Sequence, residues 1–199
     1  MRSETKKILC IEDDRETAAL ICEELTDAGY QVLLAHDGHQ GLKAVLTHSP
    51  DLVLSDISMP VMSGFAVLER LTALSPRFSE LPFVFLTALA DRESELKGRR
   101  LGADDYVIKP IDFEILLTMI ARRLGANPRK TLAPHPITDR EAEILAWIAR
   151  GKTSSEIAYI LGLAKRTVDF HADTARVKLN VSTRTEAAVK AALQGIIKT

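Results

Sequence analysis

No run of apolar residues in this chain approaches the roughly 18 to 20 that a membrane span requires. The N-terminal stretch also lacks a signal-type apolar segment, because Lys6 and Lys7 precede only a strand-length run. Cysteine is nearly absent. Cys10 lies within the first apolar run and Cys22 within the first helical pattern, without metal-ligand spacing. Two such thiols argue against a disulfide framework or a thiolate metal cluster and fit core positions in a reducing compartment. The sequence has no internal repeat and no low-complexity tract. A membrane-spanning protein and a repeat array are therefore set aside, and a cytoplasmic location is expected.

Net charge is small as well, at −1, but that average hides an asymmetry. Residues 1–124 carry 14 Lys and Arg against 20 Asp and Glu, whereas residues 125–199 carry 12 against 7. An acidic front and a basic back imply different partners, the back being a candidate for nucleic acid. A length of 199 residues allows two small domains with separate cores.

The front half alternates short apolar runs with longer amphipathic ones. Strands are predicted over 7–12, 31–35, 51–56, 82–87 and 105–108, and helices over 15–28, 39–47, 64–74, 92–101 and 112–124. Gly29 and Gly102 stand where helix C-caps are expected, and Ser49-Pro50 stops the second helix. This alternation predicts an α/β domain, a doubly wound five-stranded parallel sheet with helices on both faces. Residues 125–135 break every pattern and form a linker of at most about 40 Å. Beyond it only helical patterns appear, over 138–150, 154–161, 165–179 and 183–197, predicting a small all-α four-helix domain.

If the apolar runs are parallel strands, their carboxyl ends lie side by side, where open α/β sheets place ligands. Glu12, Asp13 and Asp14 follow the first run, Asp56 ends the third, Thr87 ends the fourth, and Lys109-Pro110 follows the fifth. Glu12 and Asp13 offer hard oxygens suited to Mg²⁺ or another divalent cation. Asp56 completes that set and is the candidate nucleophile towards a phosphoryl group. Lys109 would neutralise the acyl phosphate, and Thr87 would hydrogen-bond one of its oxygens.

These residues carry a resemblance. Ile8-Leu9-Cys10-Ile11-Glu12-Asp13-Asp14, Leu54-Ser55-Asp56-Ile57-Ser58-Met59-Pro60 with Gly64, Phe85-Leu86-Thr87-Ala88, and Gly102-Ala103-Asp104-Asp105-Tyr106 through Lys109-Pro110 together resemble the receiver domain of bacterial response regulators, a flavodoxin-like fold, over residues 5–124. The resemblance implies Asp56 as phosphoacceptor fed by a histidine kinase, and Mg²⁺ held by Asp13, Asp56 and the Ser58 carbonyl. Glu12 would act mainly through water; many members carry Asp there. A cis Lys109-Pro110 bond is also implied, as is a switch in which Thr87 moves towards the phosphoryl group and Tyr106 turns inward. Leu89 is apolar where a polar residue could position water, which predicts slow self-dephosphorylation.

In the basic half, 154–161 and 165–179 have helix-turn-helix spacing around Gly162-Leu163-Ala164. Ile137-Thr138-Asp139-Arg140-Glu141 with Glu143-Ile144-Leu145, Gly151-Lys152-Thr153-Ser154-Ser155-Glu156-Ile157-Ala158, Thr167-Val168, His171, Lys178-Leu179, Val181 and Arg184 resemble the LuxR-type DNA-binding domain of the NarL/FixJ class, over 136–197 of a domain taken as 136–199. The resemblance implies a third helix in the major groove of duplex DNA and a fourth that pairs two subunits. Lys165, Arg166 and Thr167 open the third helix, and Lys152, Arg176, Lys178 and Arg184 are further phosphate candidates. His171 either supports a backbone contact or packs within the domain. Phe170 either touches a thymine methyl or belongs to the core. Asp169 and Asp173 depart from the Lys or Arg often found there. They read a cytosine amino group, pair with Arg166 or Arg176, or mark a domain without ordinary DNA binding. Ala188, Ala191 and Ala192 in the last helix are small enough for a dimer contact, or else cover the domain's own core.

The reading taken is a non-enzymatic, phosphorylation-controlled transcription regulator that homodimerises when phosphorylated. The short linker and opposite charges lead us to expect the resting receiver to mask part of the third or fourth helix. The runner-up is a regulator whose C-terminal domain binds a protein instead of DNA. An aspartate phosphatase is disfavoured, because Ser58 stands where such enzymes commonly carry a second acid.

Overall fold

A computed structural model describes residues 5–88, 92–125 and 137–198, and chain contacts divide it into two units, residues 1–132 and 133–199. In the first, β1 (Lys7–Ile11), β2 (Gln31–Ala35), β3 (Leu52–Asp56), β4 (Phe83–Thr87) and β5 (Asp105–Ile108) form a parallel sheet ordered β2-β1-β3-β4-β5. Flanking it are α1 (Arg15–Asp27), α2 (Gly38–His48), α3 (Gly64–Leu74), α4 (Arg92–Leu101) and α5 (Phe113–Arg123). A short 3-10 turn at Pro76–Glu80, absent from the sequence pattern, joins α3 to β4.

Strands β3 and β4 are buried along their whole length and β1 over all but its first residue. Such strands, covered on both faces, need continuous apolar runs, as the sequence provides. Phe83 and Phe85 meet edge-on, with centroids 5.1 Å apart, and Phe65 of α3 closes on Phe85 at 5.0 Å. Each fully buried side chain of this kind contributes about 1.5–3 kcal/mol relative to exposure. Helix starts are set by side-chain caps: Asp14, Asp37, Ser63 and Asp112 each accept a backbone N–H from the first turn.

The strand order places β1 beside β3 while β2 lies outside, so the winding reverses between β1 and β3. A crevice therefore opens at the carboxyl ends of those two strands.

The second unit holds α6 (Asp139–Ala149), α7 (Ser154–Leu161), α8 (Lys165–Lys178) and α9 (Arg184–Leu193). Thr138–Glu141, Thr153–Glu156 and Thr183–Glu186 form reciprocal capping boxes at the starts of α6, α7 and α9. Gly162 takes the left-handed conformation, φ +66°, that turns α7 into α8. The last helix is shorter than predicted. Gly195 adopts φ +71°, and the chain folds back so that Ile197 joins the core of Leu145, Ala175, Leu179 and Ala187.

Candidate functional sites

The backbone after β1 stays tied to β2, with Glu12 N–H donating to the Ala35 carbonyl at 2.9 Å. Glu12 is fully buried, whereas Asp13 is exposed and Asp14 is committed to capping α1. Asp56 ends β3, and its Oδ1 accepts the Ser58 N–H at 3.1 Å. Helix α3 starts immediately against this point. A Cβ at Gly64 would overlap the Asp56 carbonyl, so only glycine lets α3 approach so closely.

Lys109 reaches the same point from β5. Its Nζ donates to Glu12 Oε2 at 2.7 Å and to Asp56 Oδ2 at 2.6 Å. Its N–H donates to the Thr87 carbonyl at 2.7 Å, and the Lys109-Pro110 bond is cis. Burial pushes the Glu12 carboxyl above its ordinary value despite the bond from Lys109. Burial would lower Lys109, but its bonds to Asp56 and Glu12 outweigh that, so it stays protonated. Carboxylate oxygens of Glu12, Asp13 and Asp56 lie within 4.8 Å of one another. Three carboxylates against one ammonium leave two formal negative charges, and the hard-oxygen set fits a divalent cation.

Thr87 is buried at the end of β4, and Tyr106 is half-buried with its ring 5.5 Å from Phe85. The Tyr106 hydroxyl rests where a Cβ on Gly98 of α4 would stand. Gly98 was not singled out from the sequence, although an isolated glycine inside a helical pattern signals such close packing. Leu89, which carried the self-dephosphorylation expectation, lies outside the described residues, as does almost all of the expected linker.

In the second unit, α8 turns Thr167, Val168, His171, Ala172 and Ala175 inward. Lys165, Arg166 and Asp173 face out, with Asp169, Phe170 and Arg176 half-buried. This corrects the placement of two phosphate candidates. Thr167 is packed inside and its N–H donates to the Ala164 carbonyl, while Lys178 is bound at 2.7 Å to the fully buried Glu141. His171 packs within the domain, its ring 5.3 Å from that of Phe170. Asp173 lies 3.5 Å from Arg176, as helical spacing predicted. Asp169 is held by Lys165 at 2.7 Å and by Arg184 at 3.3 Å, neither named as its partner beforehand. Arg184 also donates to the Ser154 hydroxyl at 2.5 Å. Lys152 pairs with Glu156 at 3.1 Å.

The alanine stripe of α9 is likewise corrected. Ala188 and Ala191 are buried in the domain's own core and Ala192 packs half-buried against it, because all three fall on the face that meets α6 and α8. The exposed apolar side chains of α9 are Val189 and Leu193, one turn apart. Among the described residues, no helix is long and apolar enough to cross a membrane.

A family model for the response regulator receiver domain matches residues 8–121, and one for bacterial regulatory proteins of the luxR family matches residues 135–191. The protein named "Probable transcriptional regulator ycf29" of Pyropia yezoensis is 30% identical over 192 residues, covering 90% of this chain and 86% of that protein. The transcriptional regulatory protein DltR of Streptococcus agalactiae is 42% identical over 117 residues, but covers only 59% of this chain and 51% of that protein. Among solved structures, the Vibrio cholerae chemotaxis protein CheY4 is 29% identical with a TM-score of 0.57, over 60% of this chain and 98% of that one. A BeF3-activated DrrB receiver domain is 32% identical with a TM-score of 0.55, over 61% of this chain and 99% of that one.

Proposed function

This chain belongs to the response regulators, its receiver domain joined to a luxR-family regulatory domain, and we propose that Asp56 is the carboxylate through which it is switched. The protein is a phosphorylation-controlled, DNA-binding transcription regulator. We assign residues 5–124 to the receiver, 125–135 to the linker and 136–199 to the DNA-binding domain.

One observation carries the assignment of Asp56: Lys109 bridges it to Glu12 at the point where the sheet reverses its winding. In our reading an Asp56 carboxylate oxygen attacks the phosphorus of a phosphohistidine on a histidine kinase. The O–P bond forms as the P–N bond breaks, and the departing imidazole regains a proton. Lys109 keeps its ammonium beside the new acyl phosphate, and the Thr87 hydroxyl donates to a phosphoryl oxygen. Asp13, Asp56 and the Ser58 carbonyl, with Glu12 through water, would hold Mg²⁺, which when bound offsets charge between phosphoryl and carboxylates.

Phosphorylation exchanges the single Asp56 charge for phosphoryl oxygens that carry up to about two, a net gain of about one negative charge at a site that already carries an excess. Thr87 moves towards them, and Tyr106 transmits the change because its hydroxyl lies against α4. The output is DNA binding by the outward face of α8, with Lys165, Arg166, Phe170, Asp173 and Arg176, supported by Lys152 and Arg184. Val189 and Leu193 form the contact of a homodimer in this proposal, in place of the buried alanines. Its setting is the cytoplasm. A tenfold gain in affinity requires about 1.4 kcal/mol of coupling.

The test is duplex DNA binding against salt, with and without a small phosphodonor plus Mg²⁺, for the wild type and Asp56→Asn. Salt-sensitive binding strengthened by the donor in the wild type alone is expected. An equal response in Asp56→Asn would remove Asp56 from this role.

A further inference from the structure

Asp169 differs from the other acids on the DNA-binding unit. Lys152–Glu156 and Arg176–Asp173 are one-to-one contacts within or beside a single helix, spaced i,i+4 and i,i+3. Exposed pairs of that kind contribute little and open readily. Asp169 instead joins two cations from different helices. Oδ2 accepts from Lys165 of α8 at 2.7 Å, and Oδ1 accepts from Arg184 of α9 at 3.3 Å. The Ser154 hydroxyl, at the start of α7, hydrogen-bonds the same carboxylate and also accepts from Arg184. Burial would raise the Asp169 carboxyl. The bonds from Lys165 and Ser154 and the charges of Lys165 and Arg184 outweigh it and hold the group ionised, below its usual range.

The Asp169 side chain is 27% exposed, while Lys165 is 63% and Arg184 43% exposed. The two cations are thus open to an incoming anion, and the carboxylate between them is what that anion must displace. We propose that Asp169 is an internal competitor for DNA phosphates, lowering affinity for arbitrary duplex by occupying Lys165 and Arg184. On this view Asp169 sets specificity without reading a base. Random duplex offers too few contacts to open the cluster, whereas a matched site supplies the surplus that does. The inference rests on the DNA-binding reading above.

Asp169→Asn keeps the shape and can still accept from Ser154, but leaves both cations uncompensated. The experiment uses the full chain, treated with phosphodonor, and titrates random-sequence duplex at increasing salt. Asp169→Asn is expected to bind more tightly at low salt, with a slope steeper by about one, so that its advantage shrinks about fourfold between 50 and 200 mM. Asp173→Asn, which removes one negative charge from the same helix, should gain less. The gain of Asp169→Asn should largely vanish when Lys165 and Arg184 are both replaced by Met. Thermal unfolding of each variant checks that the domain remains folded.

A gain no larger than that of Asp173→Asn, or one that survives loss of both cations, would overturn the inference. So would loss of discrimination between matched and random duplex without tighter random binding, which would make Asp169 a base reader. Wild type that binds duplex without any gain in Asp169→Asn defeats this inference alone. Absence of duplex binding by every variant at any salt would remove the DNA-binding reading with it.

Discussion

The two units use ion pairs in opposite ways. At the ends of the receiver strands, three acids face one lysine, two of them are buried, and the imbalance is held in place by a sheet. On the helical unit, Lys152, Lys165, Arg176, Lys178 and Arg184 each have an acidic partner, and most of those pairs meet solvent. A buried, unbalanced cluster creates a demand for added positive charge and couples it to the fold. A paired surface set contributes little stability and instead regulates what else the cations can bind. Lys178–Glu141 is the exception. It belongs to the helical unit, yet Glu141 is fully buried and Lys178 only 17% exposed.

That exception is the strongest lever on the contrast. Lys178→Met leaves Glu141 buried without its cation, and about 3–5 kcal/mol of stability should be lost from the helical unit. Denaturant unfolding measures it, and a loss below about 1 kcal/mol would place this pair with the surface set. Gly98→Ala comes next. Its Cβ meets the Tyr106 hydroxyl, so the tyrosine must shift, at a cost of about 1–3 kcal/mol. Phosphorylation of Asp56 should persist while its effect on DNA binding falls; an undiminished effect would uncouple Tyr106 from output.

Glu12→Gln probes the receiver imbalance directly. Burial raises the Glu12 pKa above its unfolded value, so protonation favours the folded state. Its contribution is fully present below the unfolded value of 4.5 and is lost as pH rises through the higher folded value. At neutral pH the ionised, buried Glu12 therefore costs stability. The variant should melt about 2–4 °C higher at pH 7 and bind divalent cations more weakly. A lower midpoint would mean that the Lys109 bond outweighs the burial cost.

The smallest effect is expected at Glu156, where the sign reverses. The Thr153 backbone and Lys152 lower its pKa from 4.5 to about 2. Its contribution is present above 4.5 and is lost as pH falls towards 2. Stability curves of the wild type and Glu156→Gln should therefore converge in acid. Because this carboxylate is exposed, salt should also flatten the difference.

Much of this was legible before any coordinates. The five-strand alternation, the glycines that follow α1 and α4 and the strand-end positions of Asp56, Thr87 and Lys109 follow from local patterns of apolar period and turn residues. The misplacements occur where a local pattern does not say which face meets a neighbour. Ala188 and Ala191 read equally well as a dimer stripe or a core stripe, and they are core. Thr167 and Lys178 look like surface groups because threonine and lysine usually are. Ser154 carried no chemical signal, and the isolated Gly98 signalled close packing without naming its partner.

The sequence by itself therefore determined the elements, their order and the chemistry at the ends of the strands, because backbone preference and hydrophobic period act over a few residues. Only the tertiary structure decided which groups share a charge. Lys109 and Glu12 are 97 positions apart, Lys178 and Glu141 are 37 apart, and Arg184 and Asp169 are 15 apart. Coulomb energy and desolvation depend on distance and burial in space, and chain packing sets both.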